Sequence, residues 1–249
     1  MSEVSLEGKV ALITGGARRI GAEVTRRLHA EGMNLVIHYH SSEKEAHSLQ
    51  QELLDARPDS VVLVQGDILN VAKVRNLVQE TVRTFKRIDV LLNNASTFYP
   101  TPIDEADEKQ WDDLLGTNLK APFFLAQAVA PHLRKTQGCI VNMADIHGDR
   151  PLKNHPIYSI AKAGTVMLTK TLARELGPEI RVNGIAPGAI MWPESDLDEM
   201  AKQRIVSRTP LKSSGNPEDI SRTVLFLIKD APFVTGHVIP VCGGRSVVL

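Results

Sequence analysis

The sequence predicts an α/β fold, a doubly wound parallel seven-stranded sheet with helices on both faces, in a single domain over residues 1–249. Three observations lead there. Short apolar runs alternate with longer amphipathic stretches along the whole chain. The joint between the first run and the first such stretch is glycine-rich. No linker, repeat or low-complexity segment interrupts the alternation, and 249 residues are enough to bury a large core.

Taken in order, Val10 to Thr14 reads as a strand and Ile20 to Glu31 as a helix closed by Gly32. Leu35 to Tyr39 is the second strand, Glu43 to Ala56 a helix and Val61 to Gln65 the third strand. A helix over Val71 to Phe85 and the strand Val90 to Asn93 follow, then one long helix from about Asp107 to Leu133. Ile140 to Met143 is the fifth strand, Pro156 to Leu176 a helix and Val182 to Ala186 the sixth strand. The helix Pro217 to Ile228 and the strand Val238 to Val241 complete the pattern. Between them, 187–212 is irregular apart from a weakly specified helix around Leu197 to Val206. Ligands bind beyond the carboxyl ends of parallel strands, so this segment reads as a substrate-loop insertion, a candidate lid.

Composition narrows the function. The chain has 29 basic and 29 acidic residues and no long basic run, which argues against nucleic acid as a partner. Met1 to Lys9 is polar and no apolar stretch reaches the roughly 20 residues that span a bilayer, so neither a secretory signal nor a membrane anchor is expected. Cys139 and Cys242 fall in strand-like segments and read as buried thiols of a reducing compartment; the expected location is the cytoplasm. No metal site is expected.

The glycine-rich joint, Thr14-Gly15-Gly16-Ala17-Arg18-Arg19-Ile20-Gly21, lets backbone approach a pyrophosphate at a helix N-terminus, the signature of a Rossmann-type dinucleotide site. A tight turn needs glycine regardless, so the turn gains weight from the α/β pattern it opens. An NAD site usually carries a carboxylate at the end of the second strand. Here His38-Tyr39-His40-Ser41-Ser42 precedes any carboxylate, and Arg18 and Arg19 offer hydrogen bonds to a 2′-phosphate, so NADPH is the expected cofactor. One of the two arginines is equally a solvated helix-start residue. Asp67 and Ile68 after the third strand are placed against the adenine, although Asp is also a common turn residue. Asn94, Ala95 and Ser96 are placed on the nicotinamide side, with Asn94 read either as a cofactor contact or as a structural cap.

Tyr158 and Lys162 lie four apart at the start of a helix and therefore on one face. A nearby ammonium lowers a phenol's pKa and makes it a proton donor near neutral pH, and the same lysine can hold a ribose. The chain from about Leu6 to Gly244 resembles the short-chain dehydrogenase/reductase family. The resemblance rests on the glycine turn, Asn93-Asn94-Ala95, Asn118, the Tyr158 and Lys162 pair, and Pro187-Gly188. It implies a proton relay of Asn118, Tyr158 and Lys162, with cofactor contacts extending to Pro187, Gly188 and Ile190. The family's relay commonly includes a serine where this chain has Asp145.

Arg19, Asp145 and the run Ser96-Thr97-Phe98-Tyr99-Pro100 are similar to the pteridine reductases within that family. The resemblance implies a pterin substrate between Phe98 and the nicotinamide, with its polar edge near Arg19 and Ser96 and a ring nitrogen protonated through Tyr158 and Asp145. Asn118 would anchor a water for proton resupply. Asp145 as a mere turn cap is the bland alternative. Two departures stand out. Ser41 replaces a frequent arginine, and Ile190 stands where some relatives carry a polar pterin contact, so Met191 and Trp192 are expected to form an apolar pocket wall. The apolar C-terminus fits a homotetramer interface of the kind the family uses. The rivals are an NADPH-dependent carbonyl (3-oxoacyl-type) reductase and a non-catalytic dinucleotide-binding regulatory protein.

Overall fold

A computed structural model describes residues 5–192 and 198–248. Its strands are β1 Val10–Thr14, β2 Asn34–Tyr39, β3 Val61–Gln65, β4 Val90–Asn93, β5 Cys139–Met143, β6 Arg181–Pro187 and β7 Val238–Val241. All pair in parallel, in the order β3-β2-β1-β4-β5-β6-β7, as the strand-helix alternation requires. The order reverses between β1 and β4, which opens a crevice beyond their carboxyl ends.

Helices α1 Arg19–Ala30, α2 Glu43–Ala56, α3 Val71–Phe85, α4 Glu108–Leu115, α5 Ala121–Thr136, α6 Pro156–Leu176, α7 Glu199–Arg208, α8 Pro217–Lys229 and α9 Arg245–Val248 surround the sheet. Side chains alternate across each strand, so neighbours enter opposite core layers. Ala11 and Ile13 of β1 join Val24 and Leu28 of α1, Leu49 and Leu53 of α2, and Val224 and Leu227 of α8. Leu12 between them points the other way, toward Val74 and Leu77 of α3, Leu125 and Val129 of α5, and Leu168 and Leu172 of α6. Both faces are thus covered, which is why the strands read as nearly continuous apolar runs.

Most expected boundaries hold to within a residue. The long helix expected from Asp107 to Leu133 is the main correction, for it is broken by a π-turn at Gly116–Lys120. Pro122 has no N–H, so the carbonyl of Asn118 four residues earlier cannot be met by an α-helical donor. The ladder widens instead, and the N–H of Ala121 donates to the carbonyl of Gly116. The helix of the 187–212 segment starts at Glu199, while Leu197, where it was expected to begin, lies outside the described residues. Cys242 is not a buried strand thiol: it follows β7, is half-buried, and has its Sγ 3.3 Å from Ser246 Oγ in the short terminal helix α9. Cys139 is buried, as expected. No helix among the described residues is long and apolar enough to cross a membrane.

Gly21 shows how tightly α1 is docked on the glycine turn. A Cβ there would lie 2.2 Å from the carbonyl oxygen of Gly15 and 2.7 Å from Asn94 Nδ2. Gly21→Val is expected to destabilise the fold by about 1–3 kcal/mol through overpacking and to displace the turn. Chemical denaturation and a cofactor fluorescence titration of the same variant measure both effects; a variant that binds dinucleotide like the wild type would contradict this packing.

Candidate active site

The turn after β1 is built to receive an anion. Arg18 is the N-cap residue of α1 but places no side-chain hydrogen bond on the helix. Some other helices are closed, for Asn70 caps α3 and Asp107 and Asn216 make reciprocal capping boxes on α4 and α8, whereas α2 and α6 have no side-chain cap. The first N–H groups of α1 therefore lack the side-chain partner that α3, α4 and α8 have, and they carry the positive end of the helix dipole. Arg19, the first residue of α1, has φ 53, a left-handed conformation that costs a non-glycine residue about 1 kcal/mol. Its guanidinium Nη2 donates to the carbonyl of Trp192 at 3.0 Å and so ties the turn to the segment after β6.

Struts hold this turn in place. Asn94 Nδ2 donates to the carbonyls of Thr14 and Gly15, at 3.0 and 2.8 Å, and Thr14 Oγ1 accepts from the N–H groups of Asn94 and Ala95. Asn94 is thus a structural tie, one of its two expected readings. His38 is a second strut: it is buried, its Nδ1 accepts from the Gly15 N–H at 3.4 Å, and its Nε2 donates to the Gly66 carbonyl at 3.0 Å. Burial lowers its pKa and so favours the neutral ring. His38 and Tyr39, expected at the cofactor, are both buried, whereas His40 and Ser41 are exposed and Ser42 half-exposed. Arg18 is exposed and lies 3.7 Å from Glu45. Asp67 Oδ1 accepts from the Leu69 N–H, a turn contact, and Ile68 beside it is nearly buried.

Across the crevice, Tyr158 Oη donates to Asp145 Oδ2 at 2.8 Å. Asp145 Oδ1 accepts from the His147 N–H and caps a short 3₁₀ turn, Ile146–Gly148. Asp145 thus caps a turn with one oxygen and meets the Tyr158 hydroxyl with the other. Lys162 Nζ donates to the Met143 carbonyl at 2.9 Å and lies 5.6 Å from the centre of the Tyr158 ring. The expectation that this lysine lowers the phenol's pKa does not hold. Burial pushes Tyr158 well above its ordinary value, and the charge and hydrogen bonding of Asp145 push it further, against a small opposing pull from Ser96. Burial also drops Lys162 to about 8, with Asp145 opposing.

Asn118 lies in the π-turn and is held at both ends of its side-chain amide. Its Oδ1 accepts from Ser96 Oγ at 2.6 Å, and its Nδ2 donates to the carbonyls of Leu114 and Thr97. Its main-chain carbonyl, orphaned by Pro122, accepts from Thr165 Oγ1 at 2.9 Å. Sequence reading missed Thr165; the proline four residues after Asn118 was the signal that a substitute donor was needed.

With this geometry in hand, the comparisons can be read. A family model described as Enoyl-(Acyl carrier protein) reductase matches residues 15–246. Pteridine reductase 1 of Leishmania tarentolae is 35% identical, over 95% of this chain and 96% of that protein. The 3-oxoacyl-[acyl-carrier-protein] reductase FabG of Staphylococcus epidermidis is 36% identical, over 95% and 98%. The (2S)-[(R)-hydroxy(phenyl)methyl]succinyl-CoA dehydrogenase subunit BbsD of Thauera aromatica is 39% identical, over 98% of each chain. The chain belongs to the short-chain dehydrogenase/reductase family. It is an oxidoreductase of that family, whose members use NAD(P)(H). The uncapped α1 and its glycine turn fit such a dinucleotide. Three relatives of similar identity carry three different substrates in their names, so overall likeness does not choose among them.

Beside Tyr158 the crevice of this short-chain dehydrogenase/reductase is aromatic. Phe98 is 46% exposed, which rules out its alternative reading as a core residue. It stacks on His155, with centroids 4.7 Å apart, and meets Tyr158 edge-on. His155 went unremarked in the sequence, although it stands three residues before Tyr158. Met191 is exposed and Trp192 half-buried. Ile190 is a correction: its side chain packs into the core layer of α1, α2 and α8 instead of lining the crevice.

The buried ammonium has a thermodynamic consequence. With a folded pKa of about 8 against the ordinary 10.5, the native state carries its full penalty below pH 8 and sheds it as pH rises toward 10.5. Lys162→Met is therefore expected to be more stable than the wild type at pH 7, by about 1–2 kcal/mol, with turnover abolished. The gap should close between pH 8 and 10.5. Denaturation midpoints across that range check the sign.

Proposed function

We propose that the chain is an NADPH-dependent pteridine reductase that reduces oxidised or dihydro pterins, biopterin-like or monapterin-like compounds and dihydrofolate among them, to their tetrahydro forms. One observation carries the reading: a carboxylate, Asp145, stands against the hydroxyl of Tyr158 where the family commonly has a serine. A carbonyl reductase needs a neutral hydroxyl there to polarise a ketone oxygen. A carboxylate paired with a phenol suits a different task, holding one proton between two oxygens and passing it to a ring nitrogen.

Reduced nicotinamide supplies a hydride to a pterin carbon when bound; the chain's own residues do the rest. Tyr158, kept neutral by burial and by Asp145, has a proton to give at neutral pH. Asp145 receives the phenol's hydrogen bond and shares that proton, which moves to the ring nitrogen adjacent to the reduced carbon. Lys162 lies beside the ring as the cation that steadies the site as charge shifts, and it would hold the nicotinamide ribose. Asn118 and Ser96 fix the opposite rim through their 2.6 Å hydrogen bond. Phe98 offers its exposed ring to the flat substrate.

NADPH is favoured over NADH because His40, Ser41 and Ser42 follow β2 without a carboxylate, while Arg18 and Arg19 lie across the turn. Gly15, Ile20, Gly21, Ala95, Pro187 and Gly188 complete the cofactor contacts in this reading. A homotetramer accords with the exposed Val247 and Val248 of α9, and a cytoplasmic location with the reducing setting of two free cysteines. The alternative is an NADPH-dependent 3-oxoacyl-type carbonyl reductase, supported by the FabG relative at 36% identity.

Oxidation of NADPH, followed by its near-ultraviolet absorbance, separates the two when dihydrobiopterin, dihydrofolate and an acetoacetyl thioester are tested side by side. Turnover of the pterins alone is the expected result; turnover of the thioester alone would overturn the pteridine reading. Asp145→Ser is expected to lower kcat on the pterin by about a hundredfold or more while NADPH affinity is kept. A carbonyl reductase would keep or gain activity with the same substitution.

A further inference from the structure

His155 precedes α6 and touches the candidate site. Its imidazole covers one face of Phe98, the two planes lying within 11° of parallel and the centroids 4.7 Å apart. Phe98 meets the Tyr158 ring 4.8 Å away at 76°. The imidazole is itself fixed, for Nδ1 donates to the Lys153 carbonyl at 2.9 Å. The residue before it, Asn154, is held at φ 62, and its carbonyl accepts from the Thr101 N–H at 2.7 Å. Pro156 follows at the first position of α6. The turn that carries His155 is thereby pinned to the strand-end loop that carries Phe98. With His155 over one face and Tyr158 set across it, Phe98 still keeps 46% of its surface exposed.

We propose that His155 is a positioning residue: it holds Phe98 as a preset platform for a flat heteroaromatic ring, and so biases the site toward such substrates over acyl thioesters. The inference rests on the pteridine reading above and adds the residue that would enforce it. An exposed phenylalanine on a loop samples several rotamers, and a ligand that stacks on it must first restrict them. Stacking against His155 removes that freedom before the ligand arrives, which is preorganisation. An acyl chain has no ring to stack and gains nothing from the arrangement.

The test is the dissociation constant of dihydrobiopterin on the enzyme loaded with NADP⁺, measured by fluorescence beside the NADPH oxidation assay. His155→Ala is expected to weaken dihydrobiopterin binding about three- to tenfold, the worth of one aromatic pair, and to leave NADPH and acetoacetyl thioester binding unchanged. His155→Phe should restore the wild-type value. In a Phe98→Leu background, His155→Ala should add nothing. If His155→Ala folds poorly, His155→Gln removes the aromatic face while keeping a polar side chain of similar reach. Unchanged dihydrobiopterin binding, or an equal loss with and without Phe98, would overturn the proposal. A wild type that binds dihydrobiopterin without oxidising NADPH sinks the pteridine reductase reading but leaves the same binding comparison to decide His155. A wild type that does not bind it overturns both.

Discussion

The candidate site depends on β1 and β4 lying side by side at the point where strand order reverses. The crevice that results would be a loose pair of loops without the hydrogen bonds crossing it. Thr14 Oγ1 takes two N–H groups from the β4 loop, and the Asn94 amide returns two bonds to the carbonyls of Thr14 and Gly15. These backbone groups lie beyond the last ladder pairs, where a buried polar group without a partner costs free energy. His38 extends the bracing sideways, joining the Gly15 N–H to the Gly66 carbonyl. A turn braced in this way can keep Arg19 left-handed, because the surrounding bonds over-determine its conformation.

Electrostatics in the crevice follow from burial more than from pairing. Tyr158 and Lys162 are buried side by side, and a charge on either is expensive. The phenol responds by holding its proton, and the ammonium by falling to about 8. A lysine poised that close to neutrality loses its charge over a pH range in which exposed lysines are fully protonated. For proton delivery to a ring nitrogen, a neutral phenol is the useful state.

The sequence made the sheet legible because strands covered on both sides read as apolar runs and because six of its helices begin or end at recognisable punctuation. Tyr158, Lys162 and Asp145 were legible as a group, since four-residue spacing fixes a shared helical face and β5 aims its carboxyl end at the same crevice. What stayed hidden depends on contacts between residues far apart in the chain. Whether His38 pointed at a ligand or into the fold turned on Gly66, 28 residues away. Ile190 looked like a pocket residue until its packing beside Gly215 put it in the core. The pKa of Tyr158 turned on burial and on Asp145, and the four-residue spacing to Lys162 reports neither.

Asn118 shows how one local rule can propagate. Pro122 removes the N–H that an α-helix would aim at the Asn118 carbonyl, so the helix widens into a π-turn and the Thr165 hydroxyl supplies the missing bond from α6. That bond anchors the π-turn to the helix that carries Tyr158 and Lys162, while the Asn118 side chain reaches Ser96 and Thr97 on the β4 loop. A single asparagine thereby joins three pieces of chain. Its side-chain oxygen accepts from Ser96 and its amide makes two bonds to carbonyls, so the capacity left for a water lies in the second lone pairs of its side-chain and main-chain oxygens. The same residue therefore ties the β4 loop to α6 and still presents two acceptor oxygens.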